Sequence, residues 1–184
     1  MQPDKLLGTD PDCIARTLGA FELYIDELER GVADPHDLDR FVTLLDRVVE
    51  PRSAREEALL LAAMAIGGVA AGAEELSEAR VRRLEARRIL RALEKAARDS
   101  DNLGHPRSVT QRARNYVELV RAHLGWYRRV VRPLLESRLS PEQADLFGDG
   151  DMPRPDCDPA ELEALAEELV EAYSERPTPV HPVR

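Results

Sequence analysis

The sequence predicts an all-α protein: an up-down-up-down four-helix bundle with additional C-terminal helices and a Pro-rich tail. Three observations carry that expectation. Apolar residues recur at alternating spacings of three and four in four successive segments, the period that places them on one helix face. Ala, Leu, Arg and Glu dominate a composition that is 43% hydrophobic, 33% charged and only 4% aromatic. The segments are joined by short polar or breaker-rich stretches, which suit antiparallel neighbours. At 184 residues the chain is long enough to bury one good core. The bundle is expected over residues 1–146. A linker, an acidic helix and the tail are expected over 147–184.

The first helix is expected from Pro11 to Arg30, with Asp10 or Asp12 accepting from its free amides. Ile14, Leu18, Phe21, Ile25 and Leu28 form its stripe. In "GVADPHD" the chain turns, Asp34 caps, Pro35 suits the first helical position and Asp37 favours the positive end. Leu38, Val42, Leu45 and Val49 then line the second helix. Pro51 deletes an internal hydrogen bond and collides with the preceding turn, so a kink or short break is expected there. Ser53-Ala-Arg-Glu56 reads as a capping box that restarts the helix as far as Ile66.

After the Gly/Ala-rich "IGGVAAGAE", a third helix runs from Glu74 or Ser77 to Arg98. Its stripe is Leu76, Ala79, Arg83, Ala86, Leu90, Leu93 and Ala97, one member of which is an arginine. The polar turn "DSDNLGHPRS" leads to a fourth helix from Ser108 or Thr110. Tyr116, Val120, His123, Tyr127, Val130 and Leu134 share one face there, so a titratable ring falls on the buried side. Ser140-Pro-Glu-Gln opens a short capped helix, "GDGDMPRPDCD" is a linker, and Asp158-Pro159 caps a last acidic helix to Tyr173. "SERPTPVHPVR" is too rich in proline for a helix and is expected to be extended.

Several function classes recede on these data. A formal charge of −9 disfavours a nucleic-acid partner. No apolar run reaches about 18 residues, so no membrane span is expected. The first twelve residues lack a basic segment followed by an apolar one, so no secretory signal is expected. Cys13 and Cys157 fit no metal-pair spacing and read as reduced thiols in a cytoplasm. His36 and His105 sit in a cap and a turn, and His181 in the tail. No spacing suggests a nucleophile with its base, and "IGGVAAG" lacks the lysine and strand of a phosphate loop. "RVRRLEARR" reads as a solvated helix face.

Two segments together resemble the hemerythrin-like (HHE cation-binding) family. That family pairs an inward "HHxxEE" on its second helix with "HIxxEDxxLFP" on its fourth. "RSAREEALLLAAM", Arg52 to Met64, resembles the first without its histidines, and "AHLGWYRRVVRPLLESRLSPEQ", from Ala122, resembles the second. "FELYIDELERG" and "LEARRILRALEKA" resemble the first and third helices. The resemblance covers Ile14 to Leu146 and implies a bundle that holds two non-haem irons, binding dioxygen or sensing oxygen, iron or nitric oxide. Carried over position by position, however, most ligands are replaced. Phe21 stands for the first-helix histidine, Ser53 for one on the second helix and Arg83 for the third-helix histidine. Tyr127 or Arg128 stands for the fourth-helix carboxylate. Glu57 and His123 survive.

A di-iron centre needs imidazoles and carboxylates converging from all four helices, and a guanidinium adds positive charge where cations belong. The expectation is therefore no metal and no other cofactor, with an Arg83–Glu57 ion pair in the core taking the place of iron. His123 or Tyr127 would satisfy the remaining acceptor. The function expected is non-enzymatic, an interaction or regulatory module. Its protein partner is expected at the acidic last helix and the tail, because both lie outside the bundle. Two alternatives stand beside it. One is an iron- or oxygen-sensing protein with a reduced site built on Glu57, His123 and Glu56 or a tyrosine. The other is a pocket in the bundle core for a small anion, lined by Arg83, Arg87 and His123, which requires a cavity of about 300 Å³ or more.

Overall fold

In a computed structural model of the chain, residues 11–67, 73–98, 106–140, 142–143 and 159–174 are described, and all their regular structure is helical. Helix α1 spans Pro11–Glu29, α2 His36–Gly67, α3 Ala73–Arg98 and α4 Pro106–Trp126. A π turn, Tyr127–Val131, carries α4 directly into α5, Arg132–Arg138, and α6 is Pro159–Ser174. The expected bundle forms. α2 packs along α3, α3 along α4, and α4 along α1, while α1 and α2 meet only lightly. None of these helices is long and apolar enough to cross a membrane.

The expected stripes supply the core. All five stripe residues of α1 are buried, as are Leu38, Val42, Leu45 and Val49 of α2. α1 ends where Gly31 adopts a left-handed φ of 72°. The Val32 amide then donates to the Glu27 carbonyl and the Gly31 amide to that of Leu28, the paired bonds of a glycine-closed helix end. Asp34 caps α2 as expected, its Oδ1 accepting from the His36 amide at 2.9 Å. At the other end of the bundle Ser140 and Gln143 cap each other reciprocally. The expected linker and the tail after Ser174 lie outside the described residues.

Three expectations are corrected. First, α2 is continuous through Pro51, so no capping box restarts it at Ser53. Arg47, whose carbonyl loses its partner to the proline, is on the exposed side, where water can replace it. Second, α4 does not keep its phase. Pro133 has no amide to offer the Arg129 carbonyl, and the turn before it widens so that the Arg132 amide reaches the Tyr127 carbonyl. One residue is gained. Val131 and Leu135 are consequently buried, whereas the expected Val130 is exposed and Leu134 only half-buried.

Third, the acidic helix is not outside the bundle. α6 lies against both α1 and α2, in the seam those helices leave between them. Ala166, Leu169 and Tyr173 enter the same core as the first helices. The Tyr173 ring meets Tyr24 edge-on at 5.4 Å and Phe41 at 5.6 Å. Its hydroxyl donates to Asp37 Oδ2 at 2.5 Å, and Arg40 pairs with Glu168 at 2.6 Å. Residue 146 therefore does not mark the end of the core. Leu169→Ala should lower stability by about 2–5 kcal/mol, the usual cost of such a truncation in a packed core. Urea unfolding of the full chain measures it, and a loss within error would mean α6 is not part of the cooperative unit.

Candidate functional site

The apolar interior is divided in two. One cluster joins α1, the first half of α2, the second half of α3, most of α4, and α6. The other joins the end of α2, the start of α3, and Trp126 to Leu139. Along α2, Arg52, Ser53 and Glu56 fall between the residues of the two clusters, and on α4 His123 lies near their boundary, just before Leu124 of the first and Trp126 of the second. These four are the polar layer of the bundle.

Arg52 and Glu56 are one turn apart on α2 and are 2% and 1% exposed. The Arg52 Nε lies 3.3 Å from Glu56 Oε1. His123, 7% exposed on α4, brings Nε2 to 2.5 Å from Glu56 Oε2. A carboxylate facing Nε2 accepts, so that nitrogen holds the proton. The Arg52 guanidinium also lies over the Tyr127 ring, 5.2 Å from its centre. On the outer side the His123 ring packs at a tilt against Trp126 at 5.6 Å, and the Arg82 guanidinium covers Trp126 at 5.3 Å. Tyr127, Arg52, Glu56, His123, Trp126 and Arg82 thus form one chain of contacts from the interior to the surface.

Physical necessity explains the grouping. A carboxylate this deeply buried is costly unless countercharge and hydrogen bonds replace its water. Arg52 supplies the charge and His123 a hydrogen bond. His123 Nδ1 has no hydrogen-bond partner among the described residues. His123 lines a cleft with Ser53, Arg82 and Arg83 whose volume is about 10 Å³. That is room for about one water molecule.

Glu57 and Arg83 do pair, but elsewhere. Arg83 Nη1 lies 3.0 Å from Glu57 Oε2, while its Nε and Nη2 reach Glu50 Oε1 at 2.9 and 2.6 Å. Arg80 Nε closes on the other Glu57 oxygen at 2.6 Å. With 26% of the Arg83 side chain and 18% of Glu57 exposed, this network lies along the α2–α3 seam and not in the core. Partial burial pushes the Glu57 carboxyl up. Hydrogen bonds from Arg80 and Arg83 outweigh that, and it ends below its ordinary value. The expected replacement of iron by Arg83 and Glu57 is therefore corrected. The buried acid is Glu56 and the buried cation Arg52.

The remaining expected positions separate. Phe21 is fully buried among Tyr24 and Phe41, with ring centres 6.1 and 5.0 Å away. Ser53 lines the small clefts beside Arg83, and Tyr127 begins the π turn. Arg83 and His123 share their cleft, whereas Arg87 lines a different one, also of about 10 Å³. A small anion does not fit either, so the core-pocket alternative is corrected on size. His36 is exposed, as expected; His105 and His181 lie outside the described residues.

Comparison with known proteins bears on this arrangement. The model of the hemerythrin HHE cation-binding domain matches residues 14–135, well over half of the chain. The chain belongs to that family. No curated protein and no solved structure matches it. Within a hemerythrin-family bundle the polar layer occupies the helices that carry the metal ligands, so its fit to a metal can be tested. It fails for a di-iron centre. Among the described residues no three His, Cys, Asp or Glu side chains are grouped to hold an ion. Glu56 offers one carboxylate, already engaged by a guanidinium and an imidazole, and Glu57 turns away to α3.

Sequence reasoning missed Arg52 and Glu56 because it stopped the α2 stripe at Pro51. Continued through the proline, Leu38, Val42, Leu45 and Val49 lead on at the same spacing to Arg52, Glu56, Leu59 and Ala63, all of them buried. Glu56→Gln or Arg52→Met alone should each cost about 3–5 kcal/mol by stranding a buried partner. The double variant Arg52→Met/Glu56→Leu should recover most of the loss, and thermal melts of the three decide it. Losses that simply add would contradict the coupling. Glu57, lowered in the folded state, contributes stability above its unfolded value of 4.5 that is lost as pH falls through and below that range. Glu57→Gln should therefore lower stability at neutral pH, change little at low pH, and so flatten the acid limb of a stability–pH curve.

Proposed function

We propose that this hemerythrin-family protein works as a metal-independent, non-enzymatic scaffold in a regulatory or interaction role. The observation that carries the reading is the buried Arg52–Glu56–His123 group. It fills with side-chain charge the part of the bundle where the family's cations are held, and a guanidinium there opposes a second positive charge. Closed packing supports the same view. The clefts beside His123 and Arg83 admit about one water, which leaves a substrate no room against the only buried acid–imidazole pair among the described residues. A reducing cytoplasm is the setting that suits two cysteines distant in sequence.

The proposed partner is a protein. Its contact is less suited to α6 than the sequence suggested, since the apolar face of that helix is already engaged by α1 and α2. Iron analysis tests the reading directly. Protein produced in iron-supplemented medium and purified without chelator should hold well under one iron per ten chains. Its melting temperature should not change with added ferrous iron. One or two irons per chain, with a melting temperature that rises on iron addition, would favour the reduced-site sensor instead.

A further inference from the structure

The seam between α3 and α4 differs from the other seams of the bundle. It holds an open groove of about 240 Å³, with Ile89, Ala92 and Leu119 as an apolar floor and Arg88, Arg112 and Asn115 among its walls. The two most exposed large aliphatic side chains among the described residues, Leu84 at 66% and Val81 at 65%, lie on the same outer ridge of α3. They sit one and two turns before Arg88. Scattered exposed aliphatics need no explanation, but two adjoining ones on the ridge that runs into the wall of a groove extend its apolar surface.

Charge is distributed unevenly around that strip. The whole chain has 26 basic and 35 acidic residues, yet α3 alone has eight basic and five acidic. On the side facing α2, Glu50 and Glu57 pair with Arg80, Arg83 and Arg87. On the groove side Glu85 serves Arg88 alone. Arg112, and Lys95 one turn along the ridge from Ala92, have no ion-pair partner among the described residues. Asn115 accepts from Gln111 through its carbonyl oxygen, which leaves its amide hydrogens to the groove. The groove therefore presents aliphatic surface towards one end and, beyond the Arg88–Glu85 pair, the Asn115 amide and the unpaired cations Arg112 and Lys95 towards the other.

We propose that the α3–α4 groove docks an acidic amphipathic helix of a partner protein. Aliphatic residues one turn apart would lie on Val81 and Leu84, and carboxylates one to two turns further on would meet Arg88 and Arg112. Helix-in-groove recognition uses such anchors at helical spacing, and charge at one end fixes the direction of the bound helix. This identifies a partner chemistry for the interaction role proposed above and rests on that reading.

The test uses the isotopically labelled full chain. Its probe is a synthetic fifteen-residue helix with leucines at its third and seventh positions and glutamates at its tenth and fourteenth. Binding should shift the amides of Leu84, Arg88, Ala92, Arg112 and Asn115, and a twin with lysines for glutamates should bind at least about tenfold more weakly. Arg112→Glu should weaken the acidic peptide and strengthen the lysine twin, a reversal that mere unfolding does not produce. Leu84→Ser should weaken both. No binding, shifts elsewhere, or affinities indifferent to Arg112→Glu would overturn the proposal. In source cells, a photo-crosslinking residue at position 84 should capture an acidic helical segment, and one at Glu171 on α6 should not. Capture at Glu171 alone would overturn the groove and leave the interaction role standing. Stoichiometric iron would instead remove that role.

Discussion

Glu56 is the constraint around which the rest of the interior is arranged. It is almost wholly inaccessible to water, in a layer one helical turn deep between two apolar clusters. Its two oxygens are divided between a guanidinium on its own helix and an imidazole on α4. The imidazole ties the rotation of α2 to the level of α4, because His123 no longer reaches the acid if either helix turns or slides by a residue, whereas Arg52 moves with Glu56. Apolar clusters supply most of the stability but little of this register, since dispersion and burial are non-directional. Three side chains set this register, and the packing on either side keeps water from competing.

How legible was this? Helix number, order and the core of α1, of the first half of α2 and of α3 come from spacings of three and four, because those helices keep one phase from end to end. Failures of the reading trace to two prolines with opposite consequences. Pro51 left the phase of α2 unchanged, so the stripe continues through it to Arg52 and Glu56. Pro133 advanced the phase by one residue through a π turn, so Val131 and Leu135 replaced Val130 and Leu134. A single sequence offers no rule for which response a proline will provoke. It depends on whether the lost bond faces water and on what packs against the preceding turn.

The same limit separates Glu56 from Glu57. Adjacent carboxylates on a helix point about 100° apart, and a reading that ended the stripe before Pro51 had no phase with which to choose between them. His123 was placed correctly because α4 is regular up to Trp126, before the π turn begins. Arg83 was placed on the right stripe of α3 but at its edge, where Glu50 and Glu57 could meet it without full desolvation. Stripes are broad. An arginine on one reaches the seam more easily than the centre, because its long stem lets the head group regain water.

Side-chain contacts close the seams of the bundle unequally. Ion pairs of Glu50 and Glu57 join α2 to α3, and Glu22 with Arg121 and Asp26 and Glu29 with Arg114 join α1 to α4. The α1–α2 seam has aromatic contacts from Phe21 and Tyr24 to Phe41, and α6 completes it with Tyr173. Between α3 and α4 the cation–π contact of Arg82 with Trp126 lies at one end only, and the groove opens beyond it. Exposed ion pairs are worth little individually, so these links select alignment more than they add stability. A seam short of such links, with Arg112 left without an ion-pair partner among the described residues, loses the least fold stability by accepting something external. That asymmetry leaves the α3–α4 seam as the least closed of the bundle's seams.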